Sequence, residues 1–568
     1  MSLEQALAKY ELWLNDPLID DETRQELSSL QGNDKEIEDR FYRDLEFGTG
    51  GLRGVIGAGT NRMNRYTVAQ ATQGLAQFVK QVASGQPSVA IAYDSRNQSP
   101  EFALEAALVL AGNGVKAYVF ESLRTTPELS FAVRHLGATG GVVITASHNP
   151  PEYNGYKVYG SDGGQLVPRD AERVLAEIQT VDALEKVRRL ERSRAEAEGF
   201  LEWIGEEVDE AFISAVAQMS LHPEVIRSVS DRFHLVYTPL HGSGNLAVRS
   251  VLNRIGFKNV HIVPEQEQPD ANFSTVKSPN PEEREAFTLA LALAKEKQAD
   301  ILIGTDPDCD RMGAVVKNDQ GEYVVLSGNQ SGAIMAHYLL ESLKQRGELP
   351  DNGVLIKTIV TSEMGAAIAE SFGVRVMNTL TGFKYIGEKM TEFERTGQYR
   401  FLFGYEESYG YLAGTYCRDK DAVLASMLIC EAAAYYKSQG KTLYDVLQEL
   451  YAEHGYFQEC LESRTLKGKD GLEQIRGIME DWRQTPPVQI AGVPVTRVQD
   501  YSQGIDGLPA ENVLKFTLAD DSWFCLRPSG TEPKIKTYFA VRGATGEEAS
   551  ARLEQLRTDV MARVDRFQ

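Results

Sequence analysis

Cysteine is scarce in this chain: five residues in 568 (Cys309, Cys417, Cys430, Cys460 and Cys525), with no C-x-x-C pair. That excludes a disulfide-stapled scaffold and fits a reducing cytosol. No apolar run approaches the ~18 residues of a membrane span, and no signal peptide opens the chain. Positive charge is also in deficit. With 59 Lys and Arg against 81 Asp and Glu, the formal charge is −22, which argues against nucleic acid or an anionic membrane as the main partner. A small anion remains compatible, because it responds to the field of its own cleft. Two phosphate-loop patterns are missing as well. There is no G-x-x-x-x-G-K-[ST] run, and Gly48-Thr-Gly50-Gly-Leu-Arg53-Gly54 has Arg53 where a dinucleotide fingerprint needs its third glycine.

What is present is ordinary for a soluble cytoplasmic protein: 42% apolar and 25% charged residues. At about 150 residues per domain the length predicts roughly four domains. Residues 1–46 read as charged amphipathic helices. An α/β alternation follows, with strands expected over 88–94, 116–120 and 140–145 and a helix over 100–113. It resumes after a charged, helix-like connector (185–198). Strands are then expected over 233–239, 260–264 and 300–304, with helices over 245–255 and 281–298. A third cycle predicts helices over 329–344 and 363–372 and strands over 354–360, 375–380 and 400–403. Beyond about 442 the pattern changes to two adjacent strands, 513–518 and 535–541, and a terminal helix from Glu547. The fold class is therefore α/β, with three similar units on mostly parallel sheets and a C-terminal α+β unit. Boundaries are expected at 1–210, 211–322, 323–445 and 446–568.

In each of the first three units a short apolar strand runs into a polar loop: 142–145 into Ser147, 301–304 into Asp306, and 401–404 into Glu406. Ligands of open α/β sheets bind beyond the carboxyl ends of strands, so the three loops are expected to face one cleft. Ser147 ends a buried run, Gly140-Gly-Val-Val-Ile-Thr-Ala-Ser147-His148-Asn149-Pro150, where a hydroxyl can serve as a nucleophile. Alone, the same turn is also satisfied by Ser147 and Asn149 bonding their own backbone. His148 beside it reads as a base, a phosphate donor or a structural turn residue.

Asp306-Pro-Asp308-Cys-Asp310-Arg311 places three carboxylates at alternate positions, the hard oxygen donors that Mg²⁺ prefers. It is no calcium EF-hand, since Arg311 and Lys317 stand where that loop needs Gly and Glu. Gly404-Tyr-Glu406-Glu407-Ser408-Tyr-Gly410 pairs carboxylates with a hydroxyl and aromatic neighbours, a set suited to sugar hydroxyls. A glycosidase pair is the weaker reading, because adjacent carboxylates on an extended segment point apart. Arg527-Pro-Ser529-Gly530-Thr531-Glu-Pro533 joins a guanidinium, two hydroxyls and a flexible turn, which can nest a phosphate. Arg53 is expected on a glycine loop facing an anion. Arg96, Lys157, Lys384, Arg418 and Lys420 supply further cations near these loops.

In this order the four motifs 145–150, 306–311, 404–410 and 527–533 resemble the phosphoglucomutase/phosphomannomutase (α-D-phosphohexomutase) superfamily over nearly the full length. The stretched Gly-Tyr-Glu-Glu-Ser form and the Tyr153-Asn-Gly-Tyr-Lys157 turn look most like its bacterial phosphoglucomutase branch, related to eukaryotic phosphopentomutase and glucose 1,6-bisphosphate synthase. The resemblance implies four domains around a central cleft and an intramolecular phosphotransferase. It implies Ser147 as phosphoserine, with Ser147, Asp306, Asp308 and Asp310 holding Mg²⁺ and Arg311 neutralising phosphate. Lys157 and His148 fall where the family moves protons, with Arg53 beside them. Glu406 and Ser408 are implied sugar contacts, Thr381, Gly382, Lys384 and Lys420 are implied substrate contacts, and Arg527, Ser529, Gly530 and Thr531 hold the distal phosphate. The expected reaction interconverts glucose 1-phosphate and glucose 6-phosphate through glucose 1,6-bisphosphate, in a monomer or homodimer. Phosphomannomutase and phosphopentomutase are the neighbouring alternatives. A Mg²⁺-dependent sugar phosphatase and a non-catalytic sugar-phosphate sensor are the alternatives from other classes.

Overall fold

A computed structural model of the chain describes residues 2–48, 50–466, 468–529 and 534–567. Its four sheets follow the chain in order. The first has six strands, with Gly140–Ile144 and Ser88–Tyr93 parallel at its centre. The second has five, built on His234–Thr238 and Ile301–Thr305, and the third has four, built on Gly353–Thr358 and Arg400–Glu406. The fourth, six-stranded sheet is antiparallel throughout, with helices Gly468–Gln484 and Gly546–Val564.

One device recurs in the first three sheets. A strand whose inner neighbour is parallel turns back at its carboxyl end and pairs antiparallel with the next strand. Gly140–Ile144 returns as Tyr153–Tyr159, Ile301–Thr305 as Met312–Lys317, and Arg400–Glu406 as Gly410–Ala413. The sheets are thus mixed, and in the second the parallel and antiparallel pairings are equal in number. The apolar runs that mark a buried strand carry no information about the direction of the return strand, which is why sequence pattern over-reads the parallel character.

Each return loop holds one non-glycine residue in the left-handed region: Ser147 at φ 52°, Cys309 at 55° and Tyr409 at 66°. Such residues cost roughly 1–3 kcal/mol each and persist only where packing over-determines them. Here the packing is mutual. Thr126 N–H, from the first unit, donates to Asp308 O at 2.9 Å, Met312 N–H to Tyr409 O at 3.1 Å and Ala422 N–H to Cys309 O at 3.2 Å. Behind the loops, helix Ala422–Ser438 is buried along most of its length against helices Pro223–Val229 and Gly244–Ile255 of the second unit. The fourth unit docks on the third through Tyr501, Trp523 and Tyr538 against Ile359, Leu380 and Tyr385, and through Lys515 Nζ donating to Ile359 O at 2.7 Å.

Several elements differ from expectation. Arg53 is not on a glycine loop: Gly51–Val55 is an edge strand antiparallel to Tyr153–Tyr159, with Arg53 opposite Gly155. A Cβ on Gly51 would lie 2.1 Å from Tyr156 O, so the glycine is what admits this pairing. The helix expected over 281–298 is a 3₁₀ turn, Arg284–Phe287, followed by Thr288–Lys297. The two strands expected to be adjacent near the C-terminus are separated by Trp523–Pro528, whose single charged residue and terminal proline disguise a central strand. The connector 185–198 is helical only at Leu184–Lys186 and Arg192–Ala197.

Candidate active site

The serine loop leaves the first sheet directly after Ile144. Thr145 Oγ1 accepts the Ser147 N–H at 2.8 Å and itself donates to the buried Asp94 at 2.6 Å. This orients the Ser147 hydroxyl, 5% exposed, toward the second unit, where it donates to Asp306 Oδ2 at 2.9 Å. His148 Nδ1 stands 3.3 Å from Ser147 Oγ. Desolvation, with the Arg311 and Arg53 cations, pushes the His148 imidazole down to about 3, so it is neutral near pH 7.

The aspartate loop curls as its spacing requires. Asp306 Oδ1 accepts the N–H groups of Asp310 at 3.1 Å and Arg311 at 3.0 Å, closing the turn on its own first residue. Carboxylate oxygens of Asp306, Asp308 and Asp310 lie within 4.8 Å of one another, and all three residues are buried. Asp308 Oδ2 accepts from Thr126 Oγ1 at 2.7 Å and Lys157 Nζ at 2.8 Å, while Lys420 Nζ lies 3.0 Å from Asp310. Burial alone would raise the Asp310 carboxyl, yet Lys420, Lys157 and Arg311 hold it far below the usual range. Asp306 goes the other way, raised by burial and by the charges of Asp308 and Asp310. Burial would lower Lys157, but Asp308 and Asp310 outweigh it and keep the ammonium protonated.

Asp308 Oδ1 and Asp310 Oδ1 are buried without a hydrogen-bond partner among the described residues. Unpaired anionic oxygens of this kind are costly to bury. An all-oxygen donor set of three converging carboxylates plus a hydroxyl therefore fits a hard divalent cation such as Mg²⁺.

The third loop completes the assembly. Arg311 Nη1 donates to Glu282 at 2.8 Å and to Ser408 O at 3.2 Å. Glu406 is the last residue of its strand, 4% exposed, and accepts the Gly382 N–H at 3.0 Å. Glu407 diverges from it, accepting from Thr361 at 3.2 Å, and burial with the Glu406 charge raises it to about 7. The two carboxylates thus face different partners, which removes the glycosidase arrangement. Thr381 Oγ1 is buried with no partner among the described residues. In the fourth unit Arg527 Nε donates to Glu511 at 3.1 Å, and Ser529 N–H to Lys534 O at 2.7 Å. Lys384, in the third unit, is lowered to about 8 by desolvation and the Arg527 charge, with Glu511 opposing. Gly530 and Thr531 lie outside the described residues.

The structure therefore brings Ser147, His148, Lys157, the three aspartates, Arg311, Ser408 and Lys420 into one network. Glu406 and Gly382 adjoin it, and Arg527 with Lys384 forms a second cationic group. Arg53, on its edge strand, is exposed, but its charge is felt at His148 and Arg96. Sequence reasoning missed Asp94, Thr126, Glu282 and Glu511. Each lies outside the motif it serves, from 16 positions away for Glu511 to 182 for Thr126, so motif spacing alone could not reveal it.

Three family models match successive stretches: phosphoglucomutase/phosphomannomutase alpha/beta/alpha domain I over residues 44–185, domain II over 210–321 and domain III over 327–454. The chain belongs to the phosphoglucomutase/phosphomannomutase family. Among relatives of this phosphohexomutase, the phosphoglucomutase of Staphylococcus haemolyticus is 39% identical over 525 residues, covering 90% of this chain and 93% of its own. That of Staphylococcus epidermidis is 37% identical, covering 89% and 92%. Parafusin from Paramecium, in its open form, shares the fold with a TM-score of 0.72 at 16% identity, over 93% of this chain and 96% of its own. A phosphoglucomutase/phosphomannomutase family protein from Burkholderia thailandensis gives 0.66 at 18% identity, over 92% and 97%.

Proposed function

We propose that this phosphohexomutase is a phosphoglucomutase, interconverting glucose 1-phosphate and glucose 6-phosphate through a phosphoserine at Ser147 and a glucose 1,6-bisphosphate intermediate. The observation that carries the reading is the Ser147 hydroxyl held 2.9 Å from a buried three-aspartate cluster, with Lys157 and Arg311 in the same network. The relatives named phosphoglucomutase support the choice of sugar. The four units are proposed to span 1–210, 211–322, 323–445 and 446–568.

Phosphoryl transfer asks a protein mainly to position reactants and neutralise charge. Asp306, Asp308, Asp310 and the phosphorylated Ser147 would hold Mg²⁺, which would supply charge neutralisation at the transferring phosphoryl group. In the forward direction the 6-hydroxyl of glucose 1-phosphate attacks the phosphorus on Ser147. The new bond forms to O6, the bond to Ser147 Oγ breaks, and the O6 proton leaves to a base. His148, neutral near pH 7, is suited to accept it, while Lys157, held protonated, is suited to donate to Oγ. Arg311 neutralises the moving charge. Glu406, Ser408, Thr381, Gly382 and Lys420 hold the sugar hydroxyls. The bisphosphate reorients and returns its 1-phosphate to Ser147, so the distal group at Arg527, Lys384, Ser529, Gly530 and Thr531 must accept either phosphate. Exclusion of water around the carboxylates suppresses hydrolysis.

Phosphomannomutase and phosphopentomutase are alternatives within the family, and the protein is proposed to be cytoplasmic, a monomer or homodimer. A coupled assay of glucose, mannose, glucosamine and ribose 1-phosphates, with and without glucose 1,6-bisphosphate, tests the choice. Glucose is expected to be preferred, with a lag abolished by bisphosphate. Free phosphate released in step with substrate loss would identify a phosphatase. Failure of glucose 1,6-bisphosphate to label Ser147 would favour a sensor.

A further inference from the structure

Sequence alone groups Arg96 with the cations near the phosphate loops. The residue is 1% exposed, and its guanidinium lies against the serine loop. Nη1 donates to Pro150 O at 2.8 Å and Tyr153 O at 3.1 Å, and Nη2 to Ser147 O and Asn149 O, both at 2.5 Å. One planar fork thus ties together four carbonyls of the segment from Ser147 to Tyr153, of which Pro150 O also accepts the Tyr153 N–H at 3.1 Å. Asp94 Oδ2 stands 3.4 Å from Nε and also accepts from Thr145 Oγ1, whose oxygen holds the Ser147 N–H. The other face of the guanidinium lies over the ring of Phe273, 5.1 Å from its centroid. Phe273 belongs to the second unit, is 1% exposed and has φ 48°.

We propose that Arg96 is a positioning residue that clamps the serine loop in its left-handed turn, aiming the Ser147 hydroxyl at Asp306, and that Phe273 makes this clamp depend on the seating of the second domain. The proposal rests on Ser147 being the phosphoryl carrier. A lysine keeps the charge but has no fork, so it cannot span four carbonyls. Arg96 touches no substrate position, so its loss acts through the geometry of Ser147.

The test compares wild type, Arg96→Lys and Phe273→Leu for kcat and KM with glucose 1-phosphate, for phosphoryl loading of Ser147 from glucose 1,6-bisphosphate by intact mass, and for thermal melting. Arg96→Lys is expected to lower kcat about 10–100-fold with KM within about twofold, and to slow loading in parallel, as misplacement of a reacting atom does. Phe273→Leu is expected to melt cooperatively and lose about threefold to tenfold in kcat through the lost cation–π contact. A raised KM with unchanged kcat in Arg96→Lys would make Arg96 a phosphate ligand and overturn the proposal. So would a lowered Tm with unchanged kcat, which marks a merely structural role. If Arg96→Lys does not fold, Phe273→Leu decides, and an unchanged kcat there overturns the proposal. Absence of loading in wild type would instead refute Ser147 as the carrier, a separate failure.

Discussion

The Ser147 hydroxyl donates to Asp306 Oδ2 over 2.9 Å although 159 positions separate the two residues in the chain. This bond joins the first unit to the second at the point where the proposed reaction occurs. A rigid strand end on each side fixes the pair, so neither residue must be ordered when substrate arrives.

Removing the hydroxyl removes the carrier. Ser147→Ala is expected to fold normally and to lose mutase turnover to assay background, measured by coupling glucose 6-phosphate formation to a dehydrogenase. Wild-type-like turnover would refute the carrier role.

The buried aspartates bear on stability as well as on rate. Mg²⁺ at about 100 times its Kd should stabilise the protein by about 2.7 kcal/mol, read as an upward shift of the melting transition. Asp308→Asn, which loses an anionic ligand and the partner of Lys157 and Thr126, should abolish most of that shift. Chelation of wild type should remove activity, and added Mg²⁺ should restore it.

Proton transfer distinguishes two neighbours. Lys157→Ala is expected to cost about 10²–10⁴ in kcat if Lys157 moves the proton on Ser147 Oγ. A loss below tenfold would shift that role to His148 or a water, and His148→Gln assayed beside it would show which.

The distal phosphate group should show a pH signature. Desolvation lowers Lys384 to about 8, and a bound phosphate dianion would raise that value, so binding takes up a proton above pH 8. KM should therefore be flat below about pH 8 and rise above it. Lys384→Arg, charged throughout this range, should flatten the profile. Arg527→Ala should raise KM at every pH, and an unchanged KM would contradict its role.

Much of this molecule is legible in its residues. The strand ends before Ser147 and Asp306 and the alternating carboxylates follow from local pattern, whereas Glu406, expected in a loop, closes its strand. Local chemistry also identifies the atoms: a hydroxyl beside an imidazole, three hard anions, a guanidinium with a turn. The edge strand carrying Arg53 was hidden because its glycines resemble a loop until Tyr156 O is seen to need the space a Cβ would fill. The strand Trp523–Pro528 was hidden by its terminal proline.

The sequence by itself determined which chemistry is available and that strand ends would present it. Only the tertiary structure decided how those groups are set. It makes Glu406 and Glu407 diverge, keeps Lys157 charged and His148 neutral, and turns Arg96 inward as a clamp. The reason is physical: composition decides what a side chain can do, whereas its charge and direction depend on desolvation and on partners tens to more than a hundred positions away. Some of those partners meet only when the hairpin loops pack together, as Ser147 and Lys157 do with the aspartates.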